Sequence, residues 1–102
     1  NKWDLLYKWS CSVGKPETPT IKGTFYISGR KPYFGSDSYR VKYATRIKGG
    51  YYYHSVLFNP QGTEIINDTL GEAITHGCIR LAVDNAHWIY TNILDTTTVV
   101  IN

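Results

Sequence analysis

The sequence predicts a mainly β domain, a sandwich or open barrel of short strands with one short helix. Nine tyrosines and three tryptophans suit the pleated surface of strands. Apolar and polar residues alternate along several short segments, and turn signals separate these segments. Helical spacing occurs in one segment near the C-terminus. A chain of 102 residues fits one domain, spanning residues 1–102.

Strand predictions rest on alternation and on β-branched residues. Residues 3–13 alternate cleanly, and Cys11 falls on their apolar face, where we expect a small packed thiol. Residues 29–38 contain Pro32 and Gly35, so we expect a turn-rich loop there. The predicted strands are residues 3–13, 24–28, 39–48, 51–58, 64–66 and 97–101.

The predicted helix covers residues 83–93 and follows closely after Cys78. Its apolar residues recur three and four positions apart, as one face of a helix requires. Asp84 lies near its start, where the helix dipole favours a negative charge. The apolar positions are Ala86, Ile89, Tyr90 and Ile93.

The charge pattern excludes some classes of partner. The net charge of +3 and the pI near 8.9 are too weak to argue for nucleic acid, and they suit an anionic cell-wall polymer equally well. No long apolar run exists, so we expect no membrane contact by this domain. In residues 39–48 the cations share one face, which we interpret as solvent-exposed; the alternative is an electropositive wall beside a groove. These cations are Arg40, Lys42, Arg46 and Lys48.

The run of residues 75–80, Thr-His-Gly-Cys-Ile-Arg, is the strongest candidate for chemistry. A thiol such as Cys78 needs a base to become a nucleophile, and it needs N–H donors for the oxyanion that it creates. His54 lies upstream as a candidate base. Gly77 lets the backbone approach a substrate closely, and Arg80 supplies a fixed cation for an acidic substrate.

Two alternatives compete for these residues. Cys78 alone is more often a buried apolar residue than a nucleophile. His54, His76 and Cys78 together would suit zinc, although structural zinc normally requires four ligands at short paired spacings. A phosphate-binding loop, a pair of acid/base carboxylates and a dinucleotide-binding glycine motif are all absent from the sequence.

The sequence resembles the L,D-transpeptidase (YkuD-type) catalytic domain over most of its length. The Thr-His-Gly-Cys signature at residues 75–78 is the most specific part of this resemblance. It extends through the helix at Asp84, Ala86, Trp88 and Ile89. The other matching segments are residues 12–16, 18–20, 23–25, 53–55 and 66–71.

The resemblance implies a role for each candidate residue. Cys78 would be the nucleophile and His54 the general base, with the His54 ring held by the backbone carbonyl of Ser55. Beside an imidazolium, the pKa of the thiol is expected to fall below its free value of about 8.5. The remaining implied roles are oxyanion and site support by His76, Gly77 and Ser55, and substrate binding by Arg80, Thr75 and a flap tyrosine assigned to Tyr43.

The implied reaction is acyl transfer within peptidoglycan. The thiol attacks the carbonyl before the terminal D-alanine of a tetrapeptide stem, and an amine of another stem resolves the thioester into a 3→3 cross-link. No metal or organic cofactor is needed, and carbapenems are expected to acylate the same thiol. The expected partner is the peptidoglycan stem peptide, with no nucleic acid, and the domain is expected to be a monomer.

Two other activities fit the same residues. Water could take the thioester, which would make the protein an L,D-carboxypeptidase, or the fold could serve as a catalytically silent cell-wall binding module. The resemblance also implies strands before Asn1, a signal or membrane anchor in the full protein, and a location outside the cytoplasm at the bacterial cell wall.

Overall fold

The computed structural model describes Trp9 and residues 11–70, 73–75 and 77–101. The predictions for residues 1–8 and for His76 lie outside these described residues. The elements follow in the order β1 (Cys11–Gly14), β2 (Gly23–Tyr26), β3 (Arg30–Gly35), β4 (Arg40–Lys48), β5 (Tyr51–Ser55), β6 (Leu57–Phe58), β7 (Ile65–Asn67), β8 (Ala73–Thr75), β9 (Ile79–Leu81), α1 (Val83–Asn92) and β10 (Thr98–Ile101).

Most strands belong to one large sheet. Strands β7, β6, β4, β5, β9, β1 and β8 lie side by side in that order, and β3 pairs with β4. The β5–β9 and β1–β8 pairs are parallel, and the other pairs of this sheet are antiparallel. β2 and β10 form a separate two-stranded sheet. The predicted class, mainly β with one short helix, is confirmed.

The core joins both sheets to the end of the helix. Its buried centre consists of Ile27, Ile47 and Val99. Burying a side chain of this size stabilises the fold by about 1.5–3 kcal/mol. Partly buried residues from four strands and the segment after α1 pack against this centre: Phe25, Tyr53, Ile79, Ile93 and Ile101.

Helix α1 matches its predicted span to within one residue. It packs on β4 and β5, and Ala86 is fully buried on that side. Asp84 lies in its first turn, as expected from the helix dipole. Within the described residues, no helix is both long enough and apolar enough to cross a bilayer.

The prediction of a loop over residues 29–38 is wrong, because β3 occupies Arg30–Gly35. Pro32 cannot donate a backbone hydrogen bond, so it is excluded from central strands but tolerated on an edge. Among the described strands, β3 pairs with β4 alone and is such an edge strand. Two three-residue strands, β8 and β9, were also not predicted, and the predicted strand 51–58 is divided into β5 and β6.

Candidate active site

Thr75 fixes the turn that carries Cys78. Its hydroxyl donates to the Cys78 carbonyl at 2.6 Å and accepts the Gly77 N–H at 3.2 Å. Its own carbonyl accepts the Thr18 hydroxyl at 3.0 Å and the Lys15 N–H at 2.9 Å. Thr75 was predicted to bind substrate, but its hydroxyl is committed to this turn, so its position supports a shaping role.

Gly77 is required by its backbone and by its neighbour. Its φ of 120° lies in a region that side chains rarely adopt. A Cβ at this position would lie 2.5 Å from Cε1 of Tyr51. Because the Gly77 N–H already donates to Thr75, it is not the free oxyanion donor that was expected.

We expect Gly77→Ala to destabilise the protein and to slow acylation of Cys78. Gly29→Ala is the matched control, since Gly29 has the same φ of 120° but nothing within 4 Å of an added Cβ. The Tyr51 clash should make Gly77→Ala worse than the control by about 1–3 kcal/mol. Thermal melts and acylation rates measure both effects. Equal destabilisation by the two substitutions would show that the clash is relieved at no cost.

His54 is buried on β5 with one ring nitrogen fixed. Its Nδ1 lies 2.7 Å from the backbone oxygen of Ser55. A carbonyl oxygen only accepts hydrogen bonds, so Nδ1 carries the proton and Nε2 is left with a lone pair. Ser55 is itself held, because its hydroxyl accepts the Lys42 N–H at 2.9 Å and donates to the Val56 carbonyl at 2.7 Å. The expected support by the Ser55 carbonyl is present.

One cleft of about 430 Å³ brings the main candidates together. Strands β5 and β9 run parallel with His54 directly beside Arg80. Cys78 lies two residues before Arg80, immediately before β9 begins at Ile79. The residues lining the cleft are Phe34, Tyr39, Val41, His54, Leu57, Asn67, Thr75, Cys78 and Arg80.

Burial keeps both reactive groups uncharged. The pKa of His54 is lowered to about 4, chiefly by burial; the hydrogen bond to Ser55 opposes this shift, and the nearby Arg80 charge adds to it. Burial also raises the pKa of the Cys78 thiol, opposed by a hydrogen bond from the Tyr52 backbone. The expected fall in the thiol pKa is therefore wrong. At neutral pH the resting pair is a thiol, whose Sγ is 3.5 Å from the Gly50 carbonyl oxygen, and a neutral imidazole.

Arg80 is a buried cation, and no described residue places a carboxylate within ion-pair distance of it. The residue as a whole is only 6% exposed, and Nη1 donates to Asn67 Oδ1 at 3.3 Å and to the Thr69 carbonyl at 3.5 Å. Its Nε is buried and has no hydrogen-bond partner among the described residues. Among the described residues, one ion pair is found, between Arg30 and Asp95 at 3.3 Å, and neither residue lines this cleft. Within the described part of the chain, the positive charge of Arg80 is therefore not paired with a carboxylate.

Tyr43 is not part of the cleft. Its φ of 56° interrupts the alternation of β4, and its ring packs against His87 at 4.6 Å and Tyr90 at 5.6 Å, both on α1. Tyr39, the first residue of the predicted strand 39–48, lines the cleft instead. The assignment of a flap tyrosine to Tyr43 came from the family resemblance, and the packing of its ring on α1 does not support it.

Sequence reasoning also missed Phe34 and Asn67. The Phe34 ring meets the His54 ring edge-on, with centroids 5.8 Å apart and planes at 88°. Phe34 lies in the segment that was predicted to be a loop, so no signal pointed to it. Asn67 lies in the matching segment 66–71, which could have identified it. The described residues, which do not include His76, contain no cluster of three side chains that could bind a metal ion.

Comparison with known proteins identifies the family of this chain. The model of the L,D-transpeptidase catalytic domain (YkuD) matches residues 1–101. "Putative L,D-transpeptidase YciB" from Bacillus subtilis is 36% identical over 97% of this chain and 56% of its own length. The chain therefore spans little more than half the length of this curated relative.

Solved structures share the fold. A Clostridium acetobutylicum protein described as a fused Zn-dependent amidase/peptidase/peptidoglycan-binding domain-containing protein is 40% identical, with a TM-score of 0.79 over 99% of this chain and 42% of its own. L,D-transpeptidase 3 from Mycobacterium tuberculosis, solved with a faropenem-derived adduct, is 30% identical, with a TM-score of 0.74 over 92% of this chain and 44% of its own. From the family match over nearly its whole length, this chain belongs to the L,D-transpeptidase catalytic domain family.

Proposed function

We propose that this chain catalyses acyl transfer from peptidoglycan tetrapeptide stems, with Cys78 as the nucleophile and His54 as the general base. One observation carries the proposal: the thiol and an imidazole with its Nε2 lone pair available line the same cleft. Membership of the family supports the reaction type. The relative solved with a faropenem-derived adduct supports acylation of this kind of site by β-lactams.

Because both groups of the resting pair are neutral, the first step has to include a proton transfer from Cys78 to His54. His54 Nε2 takes the thiol proton while Sγ attacks the carbonyl before the terminal D-alanine, so that charge develops only during the reaction. The carbon–nitrogen bond breaks, the imidazolium returns its proton to the leaving amine, and a thioester remains. A side-chain amine of a second stem then attacks the thioester and forms a 3→3 cross-link.

We assign to Tyr39 the role that was expected of Tyr43, that of the tyrosine facing the substrate. It follows a tight turn in which Ser36 N–H donates to the Tyr39 carbonyl at 2.9 Å. A Cβ on Gly35 would lie 2.1 Å from that carbonyl oxygen, so only glycine permits this turn. The turn holds Tyr39 at the rim of the cleft, where a phenol can reach a bound stem.

The deciding experiment is incubation of the purified protein with a tetrapeptide stem, followed by mass spectrometry. A cross-linked dimer with free D-alanine is the expected result. A tripeptide with free D-alanine would indicate that water resolves the thioester. No change in the stem would contradict the proposal and favour a binding module. We further propose that this activity operates outside the cytoplasm, at the cell wall, by a monomeric domain.

We expect Arg80→Lys to lower kcat/KM with a tetrapeptide stem by about 10- to 100-fold, the range of one lost hydrogen bond to a charged group. A lysine keeps the charge but loses the planar geometry that binds carboxylates with two hydrogen bonds. The fold should survive with a small loss of melting temperature, since only the bonds to Asn67 and Thr69 are removed.

Arg46→Lys serves as the control for this substitution, because Arg46 is exposed and lies outside the cleft. It should leave kcat/KM unchanged. If Arg80→Lys unfolds the domain instead, Arg80 has a structural role and its assignment to the substrate is wrong.

A further inference from the structure

We propose that Arg80 binds the carboxylate of the leaving D-alanine, so that the enzyme accepts only donors with a free carboxylate one residue beyond the attacked carbonyl. The inference rests on the proposed function and specifies which end of the donor the cleft recognises. It makes Arg80 the residue that distinguishes a stem ending at this D-alanine from a longer or capped one.

The first argument is the state of the Arg80 charge. An arginine that is 6% exposed as a residue and has no carboxylate partner among the described residues is costly to bury. Its hydrogen bonds within the described chain run from Nη1, to the neutral oxygens of Asn67 and Thr69. These bonds orient the group without neutralising it. A substrate carboxylate would supply the missing opposite charge through charge-assisted hydrogen bonds, which add geometric specificity.

The second argument locates that carboxylate. The proton taken from Cys78 must return to the leaving amine, so this nitrogen has to face the His54 ring when the carbon–nitrogen bond breaks. In an amino acid the carboxylate is attached to the same α-carbon as the amine. It must therefore lie within a few bond lengths of His54. The cation placed directly beside His54 in the parallel β5–β9 pair is Arg80.

The third argument concerns the other carboxylates of the donor. Those on the retained part of the stem lie on the far side of the attacked carbonyl from the leaving amine. When that amine faces His54, they point away from the His54 side of the cleft. Asn67 and Thr69 hold Nη1 in place, so the guanidinium is not free to follow them. The leaving-group carboxylate is the one that meets Arg80 without rearrangement.

The test compares three synthetic tetrapeptide donors with the wild-type protein. The first has a free C-terminal carboxylate, the second carries a C-terminal amide, and the third has an amide only on the side chain of its diamino acid. Release of D-alanine or of its amide is measured by mass spectrometry as kcat/KM. We expect the C-terminal amide to lower kcat/KM by about 10²-fold, because the amide leaves the buried guanidinium unpaired. The side-chain amide should have little effect.

Variants then assign the preference to one residue. Arg80→Met, which replaces the cation with an apolar chain of similar length, should reduce the preference for the free carboxylate to within a few fold. Arg46→Met removes one positive charge outside the cleft and should preserve the full preference. Circular dichroism confirms that each variant is folded, and the wild-type comparison decides the question even if Arg80→Met does not fold.

The outcomes are separable. Equal turnover of the free and C-terminally amidated donors by the wild type overturns this inference and leaves the proposed function standing. A large loss with the side-chain amide alone also overturns it, since another carboxylate is then recognised. A preference that persists in folded Arg80→Met would assign recognition to a different residue. No turnover of any donor, together with no β-lactam adduct, overturns the proposed function and this inference with it.

Discussion

Replacing Cys78 with alanine is expected to abolish both stem turnover and covalent labelling by a β-lactam. Loss of a catalytic nucleophile lowers kcat by about 10⁶-fold in the best-studied comparable case. The substitution removes only a half-buried sulfur that contacts the Gly50 carbonyl, so the fold should be retained. Intact-mass measurement after treatment with a carbapenem or with faropenem should show one adduct on the wild type and none on Cys78→Ala.

Cys11 provides the matched control for this experiment. It lies on β1, where it pairs with Leu81, and it is not part of the cleft. Cys11→Ala should keep the single adduct and near-normal turnover, with some loss of packing stability. Peptide mapping should place the adduct on the peptide that contains Cys78. An adduct on Cys11, or labelling that survives in Cys78→Ala, would remove the basis of the nucleophile assignment.

Alternation predicted those strands whose two faces differ in burial. β4 was placed to within one residue, and its clearest alternation lies at its end, where Ile47 is buried between the exposed Arg46 and Lys48. β3 gave no such signal. As an edge strand it exposes four of its six residues, and Pro32 interrupts its pattern. A strand with little to bury leaves little trace in the sequence.

A motif of neighbouring residues predicted one half of the site, and packing between distant parts of the chain determined the other half. Cys78 and Arg80 are neighbours in sequence, so a single motif identified both. His54 was placed by family resemblance, and its position beside Arg80 follows from the parallel pairing of β5 with β9. Phe34 arrives from a distant strand, and no spacing rule connects it to His54.

Residue types alone could not give the charge states of the reactive pair. A cysteine and a histidine in water exchange a proton readily, and that expectation led to the predicted thiolate–imidazolium pair. Burial of both groups reverses it by penalising each charged form. The degree of burial depends on how β5 and β9 pack, which is a property of the whole fold.

His54→Ala is expected to slow acylation of Cys78 by about 10²–10⁴-fold at neutral pH, the usual cost of losing a general base. The wild-type rate should fall only as the pH drops through about 4, where His54 becomes protonated. This acid limb should be absent from the variant. The variant's rate should instead rise with pH toward and beyond the ordinary thiol pKa of about 8.5, because hydroxide then removes the proton. The raised pKa of Cys78 places this recovery at the alkaline end of the profile.

The other two histidines complete this experiment. His87 is exposed on α1 against Tyr43 and lies outside the cleft, so His87→Ala should keep the wild-type profile. His76→Ala tests the rival base, and its rate should recover less with pH if His76 contributes through the backbone of the turn. Stopped-flow acylation by a β-lactam from pH 3 to pH 10 distinguishes these cases. If His54→Ala reacts at the wild-type rate and His76→Ala shows the alkaline recovery, His76 is the base, and the Ser55 carbonyl holds His54 for a structural reason.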